Sequence, residues 1–466
     1  MKTRSSNHNS RLSLFTAVLL AVGATARSAD TTTLKDAYKD HFYVGAAINH
    51  TIATGTAVRA DNVRRTSEQV EKDIALAKDQ FNQISPENDL KWALIHPREG
   101  ADGNNFGPAD VFVNFGLSNH MYIVGHTLVW HGQTPNWVFQ GTNLPPVMTN
   151  PPSPAPAAAT NPAGTNASGG GRFGRGFGGG FGRGGFTGPR ASRDELLQRM
   201  RDHIHTVVGR YKGKIKAWDV VNEATADGGT NILRNSLWLE IIGPDFIAKA
   251  FEYAHETDPD AILRYNDYGL ENPSKRRKLI TLIKSLQEQH VPVMAIGSQA
   301  HLNVSTSFEA MDQALTEMET LGLPIHITEL DVNSAQGGQR NTRADVVNNA
   351  ATTQGGLVDD AARKLADAYA GLFRASVKHD KSVKLVTFWG VNDGVSWRAQ
   401  GRPLLFDGND QPKPAFEAVI RAAAGEQLNP RWATDYRIIT NPWNRISANP
   451  CNPCLPSKTY DAASKS

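Results

Sequence analysis

Between residues 42 and 424 the chain alternates eight times between a short apolar run and a longer stretch of helical periodicity. The apolar runs fall at 42–48, 81–85, 121–129, 215–221, 261–266, 293–299, 325–330 and 383–390. Amphipathic stretches lie between them at 67–78, 108–119, 192–211, 237–257, 274–289, 307–321 and 361–379, and 414–424 closes the series. Strand and helix in strict alternation require parallel strands joined by crossover helices. Eight such units predict a (β/α)8 TIM barrel over 34–424 once an insertion is subtracted. Helix starts agree with this reading, as where Ser192 is followed three residues on by Glu195, a capping box. No other repeat of 20–50 residues is visible, which excludes a solenoid or propeller.

The span 141–189 breaks the alternation. It opens Pro/Ala/Asn-rich and closes Gly/Arg/Phe-rich, with too little aliphatic surface to offset the entropy of ordering it. A disordered insertion after the third strand is expected. Arg-Gly-Phe tracts can bind single-stranded nucleic acid, and Gly174-x-Gly176 has the spacing of a nucleotide loop. Neither use fits a segment without strand-to-helix context in an exported chain. Export is predicted because Lys2, Arg4 and Arg11 precede an apolar stretch at 12–26 that ends in the small-residue pattern Ala24-Thr25-Ala26. Residues 1–29 therefore read as a signal peptide, the apolar stretch falling short of the ~20 residues that span a bilayer. The extension 425–466 is Asn/Pro-rich and holds the only two cysteines, Cys451 and Cys454, so the barrel must stand without disulfides between its elements. A formal net charge of +3 gives no basis for attraction to nucleic acid or to an anionic membrane.

Polar residues gather where the strands end. Trp218-Asp219-Val220-Val221-Asn222-Glu223 is an apolar strand that finishes in an amide and a carboxylate, and 323–331 repeats the design with Glu329 and Asp331. In one barrel the two strands open onto the same C-terminal face, where barrel enzymes keep their chemistry. Paired carboxylates there are the minimum equipment for cleaving a glycosidic bond. The second strand supplies Glu87, Asn88, Lys91 and Trp92; the third supplies His126, Trp130, His131 and Gln133. The sixth supplies Gln299 and His301, and the eighth Trp389 followed by Trp397. Hydrogen-bonding side chains and flat aromatic faces together suit a polyhydroxylated chain.

Glu87-Asn88-x-x-Lys91-Trp92, Gly125-His126-Thr127-Leu128-Val129-Trp130-His131 with Gln133-Thr134-Pro135, Trp218 to Glu223, Gln299-x-His301, Ile327-Thr328-Glu329-Leu330-Asp331, and Trp389-Gly390 with Trp397 resemble glycoside hydrolase family 10 endo-β-1,4-xylanases. The resemblance spans nearly the whole barrel. It implies Glu223 as general acid/base and Glu329 as nucleophile of a retaining double displacement, with His301 supporting the nucleophile and Asn222 bonding the sugar 2-hydroxyl. It further implies that Glu87, Asn88, Lys91, His126, Trp130, Gln133, Gln299, Trp389 and Trp397 line the non-reducing side of the cut, and that Tyr268 stacks on the other. Asp219 and Asp331 read as supporting groups. No metal or cofactor is implied; the expected partners are xylan and xylo-oligosaccharides, and a secreted monomer is expected. The chain departs from the family pattern at Gly132, Asn392 and Gly394. Two alternatives stay open: a barrel glucanase acting on β-1,4-glucan, and a non-catalytic xylan-binding barrel, against which the two retained glutamates weigh.

Overall fold

The computed structural model describes residues 32–57, 65–141, 189–334 and 360–425. Eight parallel strands form the barrel: β1 (Tyr43–Ile48), β2 (Gln83–Pro86), β3 (Tyr122–Trp130), β4 (Ala217–Asn222), β5 (Ile262–Asp267), β6 (Ala295–Ser298), β8 (Ile325–Asn333) and β9 (Val383–Phe388). A further short strand, β7 (His301–Asn303), lies beside the far end of β8. Closure comes from β1 pairing with β9 (Tyr43 opposite Leu385) and β6 pairing with β8 (Ile296 opposite Ile325). The fold is the (β/α)8 barrel expected from the alternation. The stretch 1–29 expected to be a signal peptide, the insertion and the C-terminal extension with its two cysteines lie outside the described residues, Gly141, Pro189 and Gly425 at their edges excepted. No helix among the described residues is long and apolar enough to cross a membrane.

One helix differs from expectation. The stretch 237–257 is two helices, Leu237–Ile241 and Phe246–Thr257. Between them Gly243 has φ 100°, a left-handed conformation that glycine adopts freely, and the next residue, Pro244, has no amide hydrogen to continue the ladder. The capping box at Ser192 forms in both directions and starts the helix Arg193–Arg210; Thr66 and Gln69 make the same box before Ser67–Gln80.

The period of two along each strand divides the core. Outward residues such as Trp218, Leu263 and Tyr265 are buried against the helices. Burying a large apolar side chain of this kind contributes roughly 1.5–3 kcal/mol. Gly125 belongs to that layer by necessity: a Cβ there would lie 2.2 Å from the Trp218 ring. Inward residues are of another kind. Val124, Ala217 and Leu385, with Tyr122 and Ile262, form a small apolar plug near the N-terminal ends of the strands. Further along the inward positions turn polar, with Asp219, Arg264 and Thr387 on those strands and His326 on β8 all buried.

The insertion leaves and rejoins the barrel at one point. Gln140 and Arg190 form an antiparallel bridge, Gly141 N donates to Pro189 O at 2.8 Å, and Ala191 N donates to Phe139 O at 2.9 Å. Arg199 braces this stem from below, bonding the carbonyls of Trp137 and Val138 at 3.1 and 3.0 Å. A closed stem holds its geometry whatever hangs from it. Replacing 142–188 by a few glycines should therefore leave a cooperative thermal transition within a few degrees of the full chain. Loss of that transition would mean the barrel needs the removed residues.

Candidate active site

The functional side chains meet at the C-terminal ends of the strands. Glu223 is the first residue past β4, Gln299 the first past β6, and Glu329 lies inside β8. Ordinary strand geometry would not aim them together. Register shifts occur between β3 and β4 (His126 to Val129), β4 and β5 (Asp219 to Val221), and β8 and β9 (Ile327 to Leu330), and such irregularities redirect side chains. Glu223 itself has φ 59°. A non-glycine residue in that region costs about 1 kcal/mol or more. The conformation is held by both of its peptide groups: Glu223 N donates to Asn266 O at 2.8 Å, and its carbonyl accepts from Arg234 Nε at 2.9 Å.

A chain of amides spans the two carboxylates. Gln299 Nε2 donates to Glu223 Oε1 (3.0 Å) and to Asn222 Oδ1 (3.2 Å). Asn266 Nδ2 donates to the same Asn222 oxygen and to Glu329 Oε1, each at 2.9 Å. Thr328 Oγ1 fixes Asn266 from behind at 2.7 Å. With both donors converging on its oxygen, Asn222 keeps its NH2 group for a ligand. Gly297 makes room for this arrangement, since a Cβ there would stand 2.3 Å from Asn266 Oδ1.

Each carboxylate has further partners. Trp130 Nε1 donates to Glu223 Oε2 at 2.9 Å, and His131 Nε2 lies 3.9 Å from that oxygen. Burial drives His131 down to about 4, so its imidazole is neutral at ordinary pH. Glu329 Oε2 faces His301 Nε2 at 3.2 Å, and His301 Nδ1 lies 3.0 Å from Asp331 Oδ2. Burial would push Glu329 up, but the hydrogen bond and charge of His301 oppose it, and the carboxyl is held below its usual range. For His301 burial acts downward, and Asp331 and Glu329 override it to carry the imidazole up to about 9. Asp331 also accepts from Trp397 Nε1 (2.8 Å) and Arg398 (2.9 Å), so the loop after β9 is tied to the residues behind Glu329.

The remaining expected residues fall around this pair. Lys91 Nζ bonds Asn88 Oδ1 at 3.0 Å and lies 5.2 Å from the Trp130 ring centre. Burial lowers Lys91, with the charges of Glu329, Glu87 and Glu223 opposing. Gln133 Nε2 reaches Asn88 Oδ1 at 3.5 Å, and Glu87 N donates to Ile48 O. Trp389 is buried, edge-on to His126 at 5.4 Å, whereas Trp397 is exposed beside His301 at 5.1 Å. Tyr268 offers only one face, because Lys275 Nζ sits 3.3 Å from its ring centre. Its hydroxyl accepts from Arg234 at 2.7 Å and donates to Asp227. Among the described residues no group of three His, Cys, Asp or Glu side chains is arranged to hold a metal ion.

Sequence reasoning did not single out Asn266, Arg234, Asp227 or Lys275. Asn266 had a visible signal, a polar residue at the inner end of an apolar strand. The other three act through contacts that join the loop after β4 to Tyr268 and to the helix Pro273–Glu288, which spacing along the chain does not register.

A (β/α)8 barrel with two amide-bridged carboxylates at its C-terminal rim has the frame of a barrel glycosidase. The family model for glycosyl hydrolase family 10 matches residues 33–150 and 185–422, and the chain belongs to that family of glycoside hydrolases. It is 34% identical over 404 residues to a beta-1,4-xylanase of Dictyoglomus thermophilum, covering 85% of this chain and 92% of that protein. It is 35% identical over 395 residues to an endo-1,4-beta-xylanase of Geobacillus stearothermophilus, covering 83% and 97%. Among solved structures, an intracellular xylanase of Thermoanaerobacterium saccharolyticum in complex with xylotetraose matches with a TM-score of 0.63 at 33% identity, over 84% of this chain and 98% of that one.

The raised value of His301 fixes the sign of a pH effect. A group that binds its proton more tightly when folded stabilises the fold fully below its unfolded value of 6.5, and loses that contribution as pH rises toward about 9. The gap in melting temperature between the wild type and His301→Asn should be widest at pH 6 and close progressively by pH 9–10. A gap independent of pH would show that the imidazole is uncharged between its two carboxylates.

Proposed function

We propose that the chain is an exported endo-1,4-β-xylanase that hydrolyses internal xylosidic bonds with retention of configuration. The observation that carries this is the amide-bridged pair: Glu223 held by two neutral donors, and Glu329 held by one neutral donor and one imidazolium. Such an asymmetry divides the roles. Glu329, kept ionised, attacks the anomeric carbon as Glu223 gives its proton to the departing glycosidic oxygen, forming a glycosyl ester. The negative charge of Glu329 is consumed in that bond. Glu223, now a carboxylate, takes a proton from water as the water oxygen attacks the same carbon and frees Glu329. The free NH2 of Asn222 is offered to the 2-hydroxyl of the reacting sugar, a contact that strengthens in the transition state.

Xylose is favoured over glucose by crowding on one side of the site. Trp389 and Trp397 both pack edge-on to His301, at 6.4 and 5.1 Å, where an exocyclic CH2OH would need space. One excluded methylene-sized group is worth about 1–3 kcal/mol, so soluble β-1,4-glucan should be cleaved roughly 10- to 200-fold less efficiently than xylan. Equal rates on both polymers would make the glucanase reading the better one. Export is supported by residues 1–29 alone. N-terminal sequencing of protein recovered outside the cytoplasm should begin near residues 27–30; a product that keeps Met1 and stays in the cytoplasm would overturn it.

The roles of the two glutamates separate chemically. Glu223→Ala should lose far more rate on xylan than on an aryl xyloside, whose phenolate leaves unaided, and added azide should restore turnover with a β-glycosyl azide. Glu329→Ala should release no reducing sugar from xylan, and azide should give the α-product by entering from the opposite face. Exchange of these behaviours would reverse the assignment, and two folded variants that both ignore azide would exclude a double displacement.

A further inference from the structure

Arg264 is a charged residue in an apolar strand, between Leu263 and Tyr265, and it is 1% exposed. It points into the barrel, above the plug formed by Val124, Ala217 and Leu385. An unpaired guanidinium there would be prohibitively costly, so its partners must be good ones. They are: Nε and NH2 form a fork on the two oxygens of Asp219, the latter at 3.0 Å, and NH1 reaches His326 Nδ1 at 3.1 Å. Because arginine only donates, His326 Nδ1 carries the lone pair. Burial and the guanidinium together take His326 down to about 3, so it stays an acceptor at any ordinary pH. Burial would raise Asp219, but Arg264 and His126 outweigh it and bring the carboxyl to about 2.

The Asp219 oxygen that takes NH2 also receives His126 Nδ1 at 2.9 Å. His126 Nε2 has no protein partner among the described residues, and the ring stands edge-on to Trp389 beside the cleft. We infer that Arg264 is a positioning residue for the hydrolysis: by gripping Asp219 in a fork anchored on His326, it fixes the His126 ring with Nδ1–H inward and Nε2 toward the sugar. The inference rests on the proposed glycosidase reading in one respect, that the sugar occupies the space His126 faces. Without the fork, Asp219 can rotate about its side chain and the imidazole loses the acceptor that selects its tautomer.

A double-mutant cycle tests this. Arg264→Met should lower kcat/KM on an aryl xylobioside at least about tenfold in the wild-type background and change it less than about twofold in a His126→Ala background, since a residue acting through His126 has nothing left to act on. An equal loss in both backgrounds would assign Arg264 a purely structural role and overturn the inference. Nitrogen NMR of the imidazoles, which needs no turnover, should show a single Nδ1–H tautomer for His126 in the wild type and a mixture in Arg264→Met; an unchanged tautomer overturns it equally. Should Arg264→Met fail to fold, Arg264→Lys keeps the charge without the fork and enters the same cycle with the same two outcomes. A wild type inactive on both xylan and the aryl xylobioside would count against the glycosidase reading, while the tautomer measurement would still decide on Arg264.

Discussion

The axis of a closed barrel is reached by water only at its ends, and so every polar group placed there has to be answered by another protein group. Most of what distinguishes this molecule follows from that constraint. The plug near the N-terminal ends is apolar and makes no demands. Above it the interior turns polar, and the demands are met in sequence: Gln83 by Ser85 and Thr387, Arg264 by Asp219 and His326, Asn266 by Thr328, Asn222 and Glu329. Each pairing removes rotamer choices from the side chains it joins. By the rim the side chains have one arrangement available, which is the state a catalyst requires before its substrate arrives.

Two carboxylates near each other repel, and what surrounds them decides which gives way. Here the asymmetry lies in the partners. Glu329 leans on His301, itself held by Asp331, which in turn holds Trp397 and Arg398 on the loop after β9. Glu223 leans on an indole and an amide, neither of which titrates in the working range. A proton can therefore be exchanged at Glu223 without disturbing a chain of ion pairs, whereas a change of charge at Glu329 is felt through His301 as far as the cleft wall.

Much of this was legible in the sequence, and the reasons differ by residue. Strand positions followed from apolar runs because a parallel barrel strand is buried on both sides. The glutamates stood out because a carboxylate ending such a run has no structural use. Arg264 did not stand out, since one arginine within an apolar run reads as an outward side chain, and its inward direction depends on partners from two other strands. The break at Gly243-Pro244 was written plainly, but helical periodicity continues across it and conceals it. Local irregularities such as the positive φ of Glu223 and Gln133 leave no trace in residue type at all.

The stem at Gln140 and Arg190 has a consequence for how the molecule reaches its fold. β3 and β4 are neighbours in the barrel, yet residues 142–188 separate them along the chain. Closing that connection must come before the strands can pair. Loop closure grows only with the logarithm of length, about 0.6 kcal/mol for each doubling, so the native state hardly registers how long the segment is. The search for that pairing does register it, because contacts distant in sequence are the slow ones to form. Length added at this junction is thus a brake on assembly of the barrel more than a burden on the barrel once assembled.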